Sequence, residues 1–259
     1  MEKLELDESK IKIKTEWQVK VGGFLIDVPL RYKCNAINAI FPISTKKAKE
    51  LIKTDKIKPL EIWPGKSLLC ITLFDFYKAA VGPYTEMALS IPVKYKTKIL
   101  VPIISIFLGE LLEKIDFFVV QIAQSSKMAI EHGLAITGYP RYSLTELINI
   151  DFKDDKDFIY ANVSGSGEKI LDLKIKKPKS EKIKRELYDT YFIKNNQIQK
   201  IKMETYGIIG KSKICDFKLG NHSWANFINE LKILPKSIDT RYYRDTIKIV
   251  NSPEILQSL

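Results

Sequence analysis

Apolar residues in this chain recur mostly at every second position. Over 84–91, Tyr84, Glu86, Ala88 and Ser90 share one face of an extended segment, a small and polar set, while Thr85, Met87, Leu89 and Ile91 share the other, a core-like set. Leu171, Leu173 and Ile175 alternate with Asp172, Lys174 and Lys176, as in a half-buried strand whose charges face water. Further strands are predicted over 24–32, 36–43, 67–77 and 117–121, and several more between 135 and 215. Turns are placed at Gly22-Gly23, Trp63-Pro64-Gly65-Lys66, Gly138, Gly165-Ser166-Gly167 and Asn195-Asn196. The run 99–108 reads as a buried strand or a short buried helix, which periodicity does not separate. Helices are predicted from the N-cap at Ser44 over the following residues, over 125–132 with Gly133 as its stop, over 223–231, and along the tail, 239–250. Many strands with few helices imply a mainly β (α+β) fold with a closed or strongly curved sheet. No linker-like shift in composition divides the chain, so 1–259 is expected to form a single domain.

Composition narrows the class. With 45% hydrophobic residues in 259, the chain can bury a sizeable core, and disorder of the whole chain is excluded. Three cysteines, Cys34, Cys70 and Cys215, are far apart and form no CxxC, which excludes a disulfide scaffold and implies reduced thiols. The run 99–108, broken by Pro102 and Ser105, falls short of the roughly 18 residues a spanning helix needs. The acidic opening, Met-Glu-Lys-Leu-Glu-Leu-Asp-Glu, lacks the layout of a secretory signal. No membrane partner and a cytoplasmic location are therefore expected. The net charge of +11 invites a nucleic-acid reading. Yet no aromatic side chains interleave with the densest basic run, 169–186, and no nucleic-acid motif accompanies it, so solvated lysine faces explain the charge better.

Common catalytic signatures are absent. Gly165-Ser166-Gly167 lacks the third glycine of a dinucleotide loop and reads as a hairpin turn. His132 and His222 are the only histidines, and neither has a second ligand at metal spacing, so neither a metal nor a cofactor is expected. His222 fits a hydrogen-bonding role at a helix entry.

Two segments carry a resemblance. Gly82-Pro83-Tyr84-Thr85-Glu86 runs into Ile91-Pro92-Val93, and Gly138-Tyr139-Pro140-Arg141-Tyr142 follows a short helix. Together they resemble the acetoacetate decarboxylase-like superfamily, with its GPYxE…IPV strand and GYPK segment. Val28-Pro29-Leu30-Arg31-Tyr32 and Leu219-Gly220-Asn221-His222 are similar to its N-terminal strand and its C-terminal LGDHP segment. The resemblance implies a β-barrel or cone with flanking helices, assembled as a homo-oligomer, and a small carboxylic or keto acid as ligand. It also implies lyase chemistry through a lysine imine at the residue after the GYP proline. Acetoacetate decarboxylase is the standard example of a lysine made nucleophilic by its desolvated, cationic surroundings.

Here that residue is Arg141, followed by Tyr142. A guanidinium stays protonated and offers no lone pair to a carbonyl carbon, so imine catalysis at this position is lost. Two more departures follow from the resemblance: Gly23 stands where an arginine is expected, and Ile71 where a carboxylate is expected. The carboxylate within GPYxE persists as Glu86.

The candidate catalytic residues are therefore Arg141 and Glu86. Arg141 would clamp a carboxylate or stabilise a developing enolate, and Glu86 would move a proton or orient water. The same two residues could instead form a salt bridge that fills a vacated site. Tyr84, Tyr139, Tyr142 and Arg31 are the candidate ligand-binding residues. The tyrosines could equally be packed aromatics, and Arg31 an exposed strand charge. Two functions stay open: an enzyme of this superfamily without the usual lysine (decarboxylase-, aldolase- or dehydratase-like), or a non-catalytic ligand-binding or assembly protein that retains the fold.

Overall fold

The computed structural model describes residues 4–11, 13–96, 115–139, 146–233 and 236–259. The run 99–108, Arg141 and Tyr142 lie outside the described residues. In chain order the elements are β1 (Trp17–Val21), β2 (Phe24–Val28), β3 (Leu30–Ser44), α1 (Thr45–Ile52), β4 (Ile57–Pro59), β5 (Lys66–Lys78), β6 (Tyr84–Tyr95) and β7 (Asp116–Gln124). They continue with α2 (Lys127–Ile136), β8 (Ile148–Asp154), β9 (Phe158–Gly165), β10 (Glu168–Lys176), β11 (Glu181–Lys194), β12 (Gln197–Lys211), β13 (Lys213–Leu219), α3 (Ser223–Glu230) and β14 (Asp239–Ser258).

Seven strands run in the order β6-β5-β3-β14-β12-β11-β7, and β7 pairs back onto β6 to close a barrel. The expectation of a closed or strongly curved sheet is met. β4 extends one edge by pairing with β6, and β1 and β2 form a separate hairpin around Gly22 and Gly23. A second sheet, β13-β10-β9-β8, packs against the outside of the barrel.

The period-two pattern explains this layering. On β3, β5 and β6 the odd-numbered residues Ile37, Ala39, Phe41, Leu69, Ile71, Leu73, Met87, Leu89 and Ile91 are almost completely buried. They pack against Ile159, Ala161, Val163, Leu171, Leu173 and Ile175 of the outer sheet and Trp224 and Ile228 of α3. The even-numbered residues of the same strands, most of them small or polar, are left to face the barrel interior. A second apolar cluster joins Tyr32, Phe76 and Tyr84 to Ala129 and Ile136 of α2 and to Ile26 and Val28 of the hairpin.

Helix entries follow the expected chemistry. Ser44 accepts a hydrogen bond from Lys47 N at 3.1 Å, and His222 Nδ1 accepts one from Trp224 N at 3.1 Å, so both side chains satisfy donors at a helix start. Three expectations are corrected. The strands predicted over 24–32 and 36–43 divide instead at Pro29, where the pairing partners change: β2 pairs with β1, whereas β3 from Leu30 onward pairs with β14 and β5 and runs unbroken to Ser44. The helix expected to stop at Gly133 continues to Ile136, where Thr137 Oγ1 donates to Gly133 O. The tail 239–250 is not helical. It belongs to β14, paired on one side with β12 and on the other with β3. Its Thr240, Tyr242, Tyr243, Thr246, Ile247, Ile249 and Val250 are β-branched or aromatic and suit a central strand.

Among the described residues, no helix is long and apolar enough to cross a membrane.

A candidate ligand site inside the barrel

The barrel interior holds a cavity of about 140 Å³. Every strand of the barrel contributes to its lining. Cys34, Ala36 and Asn38 come from β3, Thr72 and Phe74 from β5, and Glu86, Ala88 and Ser90 from β6. The opposite wall is Glu186, Tyr188 and Thr190 of β11, Met203 and Thr205 of β12, and Arg241, Tyr243, Thr246 and Lys248 of β14. A smaller cavity of about 50 Å³ lies toward α2, lined by Tyr32, Tyr84, Gln124, His132 and Thr137 among others. Glu86, Tyr139, Met203 and Lys248 border both cavities.

β14 supplies two cations to the same interior through an irregular backbone. Tyr243 stands opposite Ala36 of β3, but Thr246, three residues on, stands opposite Cys34, only two back. One extra residue is thus accommodated in β14, and its pairing with β12 slips at the same level, between Tyr206 and Ile208. Asp245, within this bulge, has φ of 47°, and its N–H donates to Asn35 Oδ1 at 3.1 Å. The bulge shifts the alternation. Before it the odd-numbered Arg241 and Tyr243 face the cavity, and after it the even-numbered Thr246 and Lys248 do. Gly207 of β12 makes room: a Cβ there would lie 2.3 Å from Thr246 Oγ1 and 3.0 Å from Thr246 Cα.

The two cations are held differently. Arg241 donates from Nε to Asp239 Oδ2 at 2.9 Å and from Nη1 to Glu186 Oε1 at 3.2 Å. Glu186 also accepts from the Tyr243 hydroxyl at 3.2 Å. Burial works against the Arg241 charge, but Tyr243, Asp239 and Glu186 more than offset it and raise its pKa. Burial, followed by the Glu186 charge, raises the Tyr243 phenol well above its ordinary value. This cluster is a fixed ion network at one side of the cavity.

Lys248 has no described carboxylate within salt-bridge distance. Its Nζ donates to the Tyr188 hydroxyl at 3.1 Å and sits 4.6 Å from the Phe74 ring centre and 5.7 Å from that of Tyr188. Burial acts to lower its pKa, whereas Tyr188, Cys34 and Glu86 act to raise it, and the net direction is upward. Burial pushes the neighbouring Cys34 thiol up to about 12, so it stays a neutral lining group near neutral pH.

The residues singled out from sequence fall as follows. Glu86 lines both cavities and accepts from Gln124 Nε2 at 2.6 Å. Tyr84 lines the smaller cavity, and Tyr139 borders both, with its hydroxyl bonded to Thr190 Oγ1 and 3.9 Å from Met203 Sδ. Arg31 is not brought to either cavity. Its side chain is 42% exposed and reaches Glu8 at 3.1 Å, as expected of a strand charge that faces water. Lys248, Arg241 and Glu186 were not anticipated. Strand-like β-branched composition in the tail was the available signal for Arg241 and Lys248, but the bulge breaks the alternation that would have pointed to Lys248, and nothing comparable marked Glu186 on β11.

No group of three or more histidine, cysteine, aspartate or glutamate side chains suited to a metal ion occurs among the described residues.

A family model described as Acetoacetate decarboxylase (ADC) matches residues 23–249. A search of curated proteins finds no match. Among solved structures, the chain is similar to the acetoacetate decarboxylase of Legionella pneumophila subsp. pneumophila str. Philadelphia 1, with a TM-score of 0.63 and 13% identity over 89% of this chain and 88% of that one. An acetoacetate decarboxylase-like enzyme from Sphingomonas wittichii RW1 matches with a TM-score of 0.54 and 12% identity, covering 89% and 94% of the two chains. The enduracididine biosynthesis enzyme MppR, solved in complex with pyruvate, matches with a TM-score of 0.58 and 7% identity, covering 89% and 91%. At these identities the likeness is one of fold.

Proposed function

The chain belongs to the acetoacetate decarboxylase family, and from that membership we propose that its barrel cavity takes a small keto acid or related carbonyl acid. The observation that carries this reading is an interior cavity whose lining is largely apolar but includes Glu86, Glu186, Arg241 and Lys248. Its volume of about 140 Å³ is close to that of a cavity of about 150 Å³ known to hold one benzene ring, which suits a ligand of some six or seven heavy atoms. Acids of the pyruvate or acetoacetate class are of that size. MppR, which shares the fold, is described in complex with pyruvate.

In this reading Arg141 clamps the ligand's carboxylate with its planar fork of donors. Arg241 does not serve that purpose, because Asp239 and Glu186 already occupy its guanidinium. Glu86 moves the proton, and its position between the two cavities puts it beside a ligand in either. Tyr139 contributes to the wall between them.

The test is isothermal titration of the protein with pyruvate, acetoacetate and 2-oxoglutarate, paired with an assay for released carbon dioxide. Saturable binding of at least one acid, weakened in Arg141→Ala, supports the reading. Binding that leads to no turnover assigns the chain to the ligand-binding alternative. No saturable heat with any of the three acids overturns the reading.

A further inference from the structure

The structure points to Lys248, on the last strand of the barrel, as the amine that condenses with the ligand's carbonyl group to form a protonated imine. This rests on the reading above that a carbonyl acid occupies the cavity. The sequence supports no such chemistry at residue 141, where the side chain is a guanidinium. The amine inside the barrel comes from a strand more than a hundred residues away.

Three observations place it there. Lys248 is the one lysine among the described residues that line either cavity, and it lines both. The bulge at Asp245 turns it inward, and the bulge has its own support: the Asn35 side chain takes the Asp245 N–H, and Gly207 leaves the space that Thr246 fills. Lastly, its ammonium is held by neutral groups, the Tyr188 hydroxyl and the faces of Phe74 and Tyr188, while Glu86 acts on it through space. The other cation of the cavity, Arg241, is a guanidinium fixed between two carboxylates and offers no lone pair. Lys248 has only to lose a proton.

The step balances as follows. Glu86 lies beyond direct contact, so the ammonium gives one proton to it through an intervening water, and the freed lone pair attacks the carbonyl carbon, so a C–N bond forms as the C=O π bond opens onto oxygen. The oxygen takes up the proton from Glu86 and a second from nitrogen and leaves as water. The nitrogen keeps one hydrogen and the positive charge. One cation therefore replaces another at the same place, beside the ring faces that stabilise the ammonium. Because the net push on the Lys248 pKa is upward, the amine is charged at rest and Glu86 is required as proton acceptor. Lys248 is here a catalytic residue. Gly207 and Asn35 are positioning residues that act through the bulge.

The experiment is reductive trapping of the whole protein. Wild type, Lys248→Arg, Lys248→Met and Glu86→Gln are incubated with pyruvate and then with borohydride, followed by intact mass measurement and peptide mapping. Titration calorimetry is run on the same samples. The expected result is one borohydride-dependent adduct, with the mass of pyruvic acid less one oxygen atom, mapped to Lys248. It should be absent in both Lys248 variants and form more slowly in Glu86→Gln, with the wild-type rate rising with pH. Lys248→Arg keeps the cation and is expected to fold and still bind pyruvate, which separates loss of chemistry from loss of structure. An adduct on another lysine overturns the inference, as does pyruvate binding with no adduct. Failure to bind the acid at all overturns the underlying reading as well.

Discussion

Gly207→Ala tests the geometry that turns Lys248 inward. A methyl group at 207 would fall 2.3 Å from Thr246 Oγ1, 2.8 Å from its Cβ and 3.0 Å from its Cα. The hydroxyl can rotate away, but Cβ and Cα cannot move without the backbone of the bulge. Overpacking of this kind costs about 1–3 kcal/mol. For a chain of 259 residues, unfolding entropy is roughly 0.5 kcal/mol/K, so Tm should fall by about 2–6 °C. Calorimetric melting of Gly207→Ala, Thr246→Ala and the double variant measures this. Thr246→Ala removes the nearest clashing atom but leaves Cβ and Cα, so the double variant should be less destabilised than the sum of the two singles. Borohydride trapping at residue 248 should drop in Gly207→Ala, because relief of the clash displaces the segment that aims the lysine. A Tm unchanged within about 1 °C, together with undiminished trapping, would refute the claim that Gly207 pins the bulge.

Two further outcomes follow from the charged groups. Arg241→Met strips two enclosed carboxylates, Glu186 and Asp239, of their shared cation, and breaking a buried pair in this way costs about 3–5 kcal/mol. Tm should fall by roughly 6–10 °C at neutral pH and recover part of that on acidification, as the carboxylates neutralise; an unaltered melting curve would show that the network contributes nothing. Asp116 is held above its ordinary pKa, first by burial and then by the nearby Asp189, against hydrogen bonds from Asp189 N and Tyr191 that lower it. Its folded-state pKa lies above the unfolded one, so ionisation costs stability as pH rises through that window. Asp116→Asn should therefore raise Tm at pH 7, with the gain shrinking toward pH 4, and thermal melts across that range would contradict the assignment if the gain grew instead.

The parts of this molecule legible in its sequence are those governed by local rules. Period-two alternation on 84–91 separated the cavity face from the core face, because a regular strand sends neighbouring side chains to opposite sides. Ser44 and His222 were legible as helix-entry groups because a cap is a contact between residues two or three apart. Closure of the barrel was foreseen only as a class, since the pairing of β7 with β6 and of β14 with β3 joins residues whose partners no local pattern names. Arg31 shows the same limit from the other side. It lies one residue before Tyr32, which lines the smaller cavity, and that single step sends it out to Glu8.

The tail illustrates why the site itself was harder to read than the fold. Read as a regular strand, 239–250 would put Arg241, Tyr243, Asp245, Ile247 and Ile249 on one face, and Lys248 on the other. The observed interior set is Arg241, Tyr243, Thr246 and Lys248. No period, 2 or 3.6, generates that set. It exists because one residue is looped into the strand against Asn35 on one neighbouring strand and beside a glycine on the other, and both partners are distant in sequence. A bulge exchanges two apolar residues, Ile247 and Ile249, for a lysine at the cavity wall and sends them to the outer face, where they are buried. The cost is an aspartate in a left-handed conformation and an ammonium turned into a largely apolar cavity, each unfavourable by itself. That the chain sustains both at the position bordering its two cavities is the strongest physical reason to assign Lys248 a chemical role, since a regular strand with isoleucine inward would have filled the same barrel with less strain.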